Sequence, residues 1–146
     1  MLLCIDIGNT NIALAVFKND ELARTERLPL ADPLPLGDII RSMRQFCGPQ
    51  PLGAKTVPVV VSSVNPAGLD AAGRVVGDTL DQNLLVVGTD VPLFMKLAIE
   101  NPETVGSDRL LVASAAYDVI ESAVVVASFG TATTVDCISD LGIFLG

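Results

Sequence analysis

The run Leu2-Leu3-Cys4-Ile5-Asp6-Ile7-Gly8-Asn9-Thr10-Asn11-Ile12-Ala13-Leu14-Ala15-Val16 decides how the chain is read, because two apolar segments flank Gly8-Asn9. β-rich segments on either side of Gly-Asn predict a two-residue hairpin in which Gly8 supplies a positive φ. Asp6 sits at the end of the first predicted strand, in a run otherwise too apolar to welcome an unpartnered carboxylate. A cleft-facing Asp6 that binds a metal ion or its water shell, with the turn amides holding a phosphate, accounts for that placement. A plain hairpin with an aspartate near its end accounts for the same stretch taken alone.

A second copy tips the balance. Val124-Val125-Val126-Ala127-Ser128-Phe129-Gly130-Thr131-Ala132-Thr133-Thr134-Val135-Asp136 repeats the design: apolar strand, small polar residue, any residue, glycine, then a hydroxyl-rich turn running into another strand. Two phosphate hairpins imply a nucleotide held between them. The pairing resembles the superfamily of acetate kinase, sugar kinases, heat-shock chaperone ATPases and actin, in which two ribonuclease H-like domains face each other across a nucleotide cleft.

Within that superfamily the chain resembles type III pantothenate kinase, the family that includes Bvg accessory factor-like proteins. The resemblance is carried by Asp6-Ile7-Gly8-Asn9-Thr10, Ser62-Ser63-Val64-Asn65-Pro66, Asn101-Pro102, Val105-Gly106-Ser107-Asp108-Arg109 and Phe129-Gly130-Thr131-Ala132-Thr133-Thr134, in that order. It implies ATP-dependent phosphorylation of pantothenate to 4'-phosphopantothenate, the first step of coenzyme A biosynthesis. It implies ATP, Mg2+ and a monovalent cation (K+ or NH4+) as cofactors, and a homodimer. By the same resemblance Asp108 is the general base, while Gly106, Ser107, Asp108 and Arg109 bind pantothenate, with Arg109 gripping the carboxylate of pantothenate. Asp6, Gly8, Asn9, Thr10, Gly130, Thr131, Ala132, Thr133 and Thr134 hold ATP and its phosphates. Asp6 and Ser128 occupy metal positions, and at Ser128 the family pattern Asp-x-Gly-Thr-Ala-Thr-Thr has an aspartate. Ile99 stands where many relatives carry an aromatic.

Composition narrows the alternatives. A chain of 146 residues that is 50% hydrophobic can bury a substantial core. The longest apolar runs, Val57 to Val61 and Ala123 to Ala127, are strand-length and far short of the roughly 20 residues of a membrane span. Met1-Leu2-Leu3-Cys4-Ile5 has no basic start and meets Asp6 at once, so a cytoplasmic protein is expected. Cys4, Cys47 and Cys137 lack metal-ligand spacing, and with no histidine a zinc site or His-based triad is disfavoured. A net charge of -8 gives no basic footprint for direct nucleic-acid binding. An anionic nucleotide must therefore be held locally, by turn amides and a cation.

In chain order, Leu22 to Leu28 is expected to complete a three-strand meander, and Pro29 to Leu36 to form a loop. Asp38 to Cys47 has helical spacing of Ile39, Ile40, Met43, Phe46 and Cys47. Pro51 to Thr56 reads as a linker, and Val57 to Ser63 as a central parallel strand. Asn65-Pro66 reads as an N-cap and first helical residue, or as a ligand loop after that strand. Pro66 to Leu80 is then a helix striped by Leu69, Ala72, Val76 and Leu80, and Leu84 to Val87 a strand. Arg109 to Ser122 is a helix capped by Ser107 or Asp108, with Leu110, Leu111, Ala113, Ala116 and Ile120 towards a core. Asp108 as a dipole-offsetting acid with Arg109 as its surface partner is the alternative that local sequence allows.

The expected fold class is α/β: a ribonuclease H-like (actin-like ATPase) domain with a mixed sheet flanked by helices, residues 1–122, and the first strands of an incomplete second such domain, residues 123–146. Two functions remain open, the kinase and a noncatalytic regulatory or binding protein of Bvg accessory factor type that keeps the fold. The bare strands at 123–145 and the helix before them are expected to drive dimerisation.

Overall fold

The computed structural model describes residues 1–31, 36–46, 57–130 and 132–146. Chain contacts divide them into two compact units, Met1–Val91 and Pro92–Gly146. The fold is α/β, built from mixed sheets flanked by helices.

In the first unit β1 (Leu2–Ile7), β2 (Asn11–Lys18) and β3 (Glu21–Pro29) form the meander that the alternation predicts. They are followed by α1 (Leu36–Phe46), β4 (Val59–Ser63), α2 (Pro66–Leu80) and the short β5 (Leu85–Val86). The sheet order is β3-β2-β1-β4-β5. β1 is therefore central, antiparallel to β2 on one side and parallel to β4 on the other. Period two along the strands sends Leu3, Ile5 and Ile7 of β1 and Ile12, Leu14 and Val16 of β2 to one face, all at most 3% exposed. Leu36, Ile40 and Met43 of α1 and Ala72 and Val76 of α2 cover that face. Each such side chain fully removed from water contributes about 1.5–3 kcal/mol.

α2 begins as its sequence predicts. The Asn65 side chain accepts from the Gly68 N–H at 2.9 Å, Pro66 stands in the first turn, and Asp81 closes the other end in the left-handed region. Glycine at 68 is required by packing, since a Cβ there would sit 2.8 Å from Cγ2 of Ile7. α1 starts at Leu36 rather than Asp38. Cys47, the linker Pro51 to Thr56 and part of the loop Pro29 to Leu36 lie outside the described residues.

The second unit holds β6 (Lys96–Leu97), a single 3-10 turn (Pro102–Thr104), α3 (Ser107–Ile120), β7 (Val124–Phe129), β8 (Thr133–Ile138) and β9 (Ile143–Phe144). Its sheet runs β6-β9-β8-β7, with β6 parallel to β9. β6 joins the sheet of the second hairpin. α3 packs on that sheet too: Leu110 and Ala113 are buried with Ile138 and Phe144, and Tyr117, Val124 and Val126 pack against them. The compact units thus divide at Val91/Pro92, whereas the expected domain division stood at Ser122/Ala123. The difference has one cause, that α3 finds its apolar partners in β7–β9. Ile120, expected in the core, is 55% exposed, because α3 is apolar around much of its circumference and only the Leu110–Ala113–Tyr117 side meets the sheet.

Candidate nucleotide and substrate site

The first hairpin closes differently from the two-residue turn its Gly-Asn predicts. Ile7 pairs with Ile12, and the Gly8 N–H donates to the Asn11 carbonyl at 3.0 Å, so Gly8, Asn9, Thr10 and Asn11 lie between the last paired residues. Gly8 is outside the positive-φ region, so the longer connection removes the conformational demand that a two-residue turn would make. Asn9 and Thr10 are exposed, and the Asn11 side-chain amide donates to the Thr10 hydroxyl at 2.9 Å. Asp6 faces away from the buried side of β1 and is exposed, opposite Ala13 on β2 and Ser62 on β4. Period two explains how a carboxylate is tolerated in so apolar a strand: its neighbours Ile5 and Ile7 face the core and it does not.

The second hairpin repeats the design with one residue fewer between its last paired residues. Phe129 pairs with Thr133, the Gly130 N–H donates to the Ala132 carbonyl at 3.1 Å, and Ser128 stands opposite Thr134. Ser128 and Thr134 are half-buried, whereas Gly130, Ala132 and Thr133 are exposed. Thr131 lies outside the described residues.

The third element is the start of α3. Gly106 is its N-cap, which makes no side-chain cap hydrogen bond, rather than the expected Ser107 or Asp108. The Asp108 carboxylate instead accepts from the Arg109 N–H at 2.9 Å. Gly106, Ser107, Asp108 and Arg109 are all half-buried. Arg109 reaches across to β8, where its Nε and Nη2 donate to Asp136, and its guanidinium lies 5.8 Å from the centroid of the Phe144 ring. Asp136 is 2% exposed. That hydrogen bond, together with the nearby negative charges of Asp136 and Asp108, holds the Arg109 guanidinium charged, its pKa pushed above the ordinary arginine value. A surface pairing of Arg109 with Asp108 is thereby replaced by a buried one with Asp136.

Asp136 is the residue that sequence reading passed over. Its signal was present: a carboxylate within Val135-Asp136-Cys137-Ile138, in a segment 92–146 whose only cations are Lys96 and Arg109. A charge in a buried strand needs a partner, and few were available.

The chain's likeness to known proteins follows the same residues. The family model described as type III pantothenate kinase matches residues 2–146. The chain belongs to the type III pantothenate kinase family. A type III pantothenate kinase of Moorella thermoacetica is 37% identical over 152 residues, covering 100% of this chain and 58% of that protein. One from Parafrankia sp. is 38% identical, with 100% and 56% covered. The chain thus spans somewhat over half the length of the curated relatives it matches. Among solved structures, one from Campylobacter jejuni assigned to the Baf family of transcriptional activators superposes with a TM-score of 0.52 at 25% identity, covering 99% of this chain and 52% of that one. A Sinorhizobium meliloti protein assigned as a 2-dehydro-3-deoxygalactonokinase superposes with a TM-score of 0.56 at 11% identity, and so shares the fold.

Within this type III pantothenate kinase framework, the structure brings Gly106–Arg109 and the Gly130 hairpin into one compact unit, while Asp6, Gly8, Asn9 and Thr10 belong to the other. Among the described residues no three Asp, Glu or Cys side chains gather to cage a metal. Mg2+ commonly takes one or two carboxylates and completes its shell with water and phosphate oxygens, which an exposed Asp6 at a strand end fits. Ser128, at the place in the second hairpin that Asp6 holds in the first, carries a neutral hydroxyl.

Proposed function

We propose that the chain is the part of a type III pantothenate kinase that presents both phosphate hairpins and the substrate-binding start of α3. The supporting observation is the family match over residues 2–146, which takes in both hairpins and Gly106–Arg109. The reaction transfers the γ-phosphoryl group of ATP to the primary hydroxyl of pantothenate, releasing ADP and 4'-phosphopantothenate. Phosphoryl transfer asks the protein mainly for positioning and charge stabilisation. Asp108 accepts the proton of the attacking hydroxyl. Arg109 spends Nε and one face of Nη2 on Asp136 and offers its remaining N–H donors to the pantothenate carboxylate. The Gly8–Thr10 and Gly130–Thr134 connections hold the phosphates. Asp6 orients Mg2+ through its carboxylate or water shell, and the metal supplies charge neutralisation on the phosphates when bound. A monovalent cation, K+ or NH4+, is also required, and Ser128 stands at a metal position where the family pattern has an aspartate. The protein acts in the cytoplasm as a homodimer, without binding nucleic acid directly or entering a membrane.

A coupled ADP-release assay with pantothenate, ATP, Mg2+ and K+ tests this, using the chain together with the portion of the Moorella thermoacetica relative that it does not span. Asp108→Asn is expected to lower kcat by about 10²-fold or more. Undiminished turnover removes Asp108 from the mechanism.

One observation favours a second reading, a noncatalytic binding or regulatory protein: Ser128 places a hydroxyl where the family pattern has a carboxylate. Ser128→Asp separates the two. A rise of about 10²-fold marks chemistry lost by substitution, and unchanged turnover exonerates Ser128.

A further inference from the structure

The guanidinium of Arg109 is held along one edge, and that decides which of its donors face a ligand. Nε donates to Oδ1 of Asp136 at 3.1 Å and to Oδ2 at 3.3 Å, and Nη2 donates to Oδ1 as well. The guanidinium carbon stands 5.8 Å from the centroid of the Phe144 ring, within cation–π reach. The hydrogen bonds on the edge stop the group turning in its own plane, and the ring beside it restricts its tilt. Neither holder is free to move: Phe144 is fully buried on β9, and the Asp136 side chain, on β8 opposite Val126, is 3% exposed. An ionised carboxylate in that apolar wall is costly without its partner, so the pair persists when a ligand arrives.

With the Nε–Nη2 edge occupied, the donors left over are those of Nη1 and the outer N–H of Nη2. They lie along the end of the guanidinium, parallel and spaced to match both oxygens of a carboxylate. Among the described residues no acceptor takes Nη1, and the Arg109 side chain keeps 33% of its surface exposed. We propose that Asp136 is a positioning residue for substrate selection: by holding the Nε–Nη2 edge it presents the Nη1–Nη2 edge, and so favours a substrate ending in a carboxylate over one ending in a neutral group. The inference rests on the reading of Arg109 as the group that binds the carboxylate of pantothenate. Orientation is the contribution, and charge is not, because the negative charge of Asp136 offsets part of the attraction that Arg109 exerts on an anion. A fork fixed beforehand loses less freedom when the carboxylate binds.

Two measurements test this. In the 146-residue chain, nitrogen NMR of the arginine side chains should show an Arg109 Nε–H that exchanges slowly with water and separate Nη1 and Nη2 signals, assigned by their loss in Arg109→Ala. Asp136→Ala should speed that exchange and merge the two Nη signals. Amide protection at Leu110, Ala113 and Ile138 reports that the α3 core is intact. If alanine costs the fold, Asp136→Leu fills the same apolar space without an acceptor.

The second measurement uses the chain continued by the portion of the Moorella thermoacetica relative that it does not span. Calorimetry gives dissociation constants for pantothenate and for its alcohol analogue, in which a hydroxymethyl group replaces the carboxylate. The parent should prefer pantothenate by about 30-fold, as hydrogen bonds to a charged group do. Asp136→Ala or Asp136→Leu should cut that preference about 10-fold. Asp136→Asn, whose amide oxygen can stand in for Oδ1, should stay within about 3-fold of the parent. An unchanged preference in Asp136→Ala and Asp136→Leu overturns the proposal, leaving Asp136 a role in stability alone. A preference lost as fully in Asp136→Asn also overturns it, since charge would then be what matters. If the preference survives Arg109→Ala, the reading of Arg109 fails and takes the proposal with it; if Arg109→Ala abolishes it and Asp136→Ala does not, the proposal fails alone.

Discussion

The two hairpins of this chain use one sequence design and bury opposite faces. In the first, helices α1 and α2 cover the side carrying Leu3, Ile5 and Ile7, and the Cys4–Asp6 side is left half-buried or exposed. In the second, α3 covers the side carrying Val124, Val126 and Ser128, and the Val125–Phe129 side is exposed. A repeated local motif therefore fixes the strand pair but leaves the turn length, and the covered face, to the flanking sequence and the helix it supplies. That is why Asp6 is exposed, while Ser128, its counterpart, is half-buried.

The strongest way to break the comparison is to truncate equivalent positions. Ile7→Ala removes a fully buried side chain and is expected to cost about 2–5 kcal/mol in urea unfolding followed by signals from the first unit. Phe129→Ala, at the matching position and 83% exposed, should lie within about 0.5 kcal/mol of the parent chain. Equal losses would show that Phe129 is covered in solution and that the contrast between the faces is wrong.

Next in size is the Arg109–Asp136 ion pair of the second unit. Asp136→Ala leaves Arg109 beside an apolar wall of Phe144 without its acceptor, and is expected to destabilise the second unit by about 2–3 kcal/mol. The figure stays below that of a fully buried pair because the Arg109 side chain is 33% exposed. Asp136→Asn keeps one acceptor and should recover part of the loss. A loss below about 0.5 kcal/mol for Asp136→Ala would mean the carboxylate contributes no more than an ordinary surface residue.

A smaller effect belongs to a glycine that the second unit needs on two counts. Gly142 has φ of +70°, and a Cβ there would stand 2.9 Å from the Tyr117 ring, whose hydroxyl donates to the Asp140 carbonyl. Gly142→Ala should cost about 1–2 kcal/mol, from left-handed strain together with displacement of Tyr117. Differential thermal unfolding of the two units checks it, since the first should be unmoved.

Much of the first unit was legible because its signals are local and agree with one another. Alternation gave β1–β3, Asn65-Pro66 gave the start of α2 and Leu80 its end, and an all-apolar run gave the parallel β4. The turn at Gly8 was misread because Gly-Asn is compatible with more than one connection length, and only the register Ile7–Ile12 decides between them. In the second unit the decisive contacts are distant in sequence. β6 joins β9 from Lys96 to Ile143, and Arg109 meets Asp136, neither of which any local pattern announces. The candidate site divides the same way: the motif residues were readable one by one, while the buried partner that orients Arg109 was not.

The smallest predicted effect concerns how the two helices that carry the motif residues begin. α2 has a side-chain cap, with Asn65 accepting from Gly68, whereas α3 starts at Gly106 with no such bond. An asparagine cap satisfies one of the orphan N–H groups of the first turn, so Asn65→Ala should cost about 1 kcal/mol. Glycine forgoes that bond but is a tolerable cap, worth only a few tenths of a kcal/mol less than serine, so Gly106→Ser should stabilise α3 by roughly that amount. Urea midpoints of the two variants, read separately in each unit, measure the asymmetry. Should Gly106→Ser instead cost about 1 kcal/mol or more, the backbone at Gly106 is held by packing around the start of α3 that a side chain disturbs, and the two helix starts differ in crowding rather than in capping.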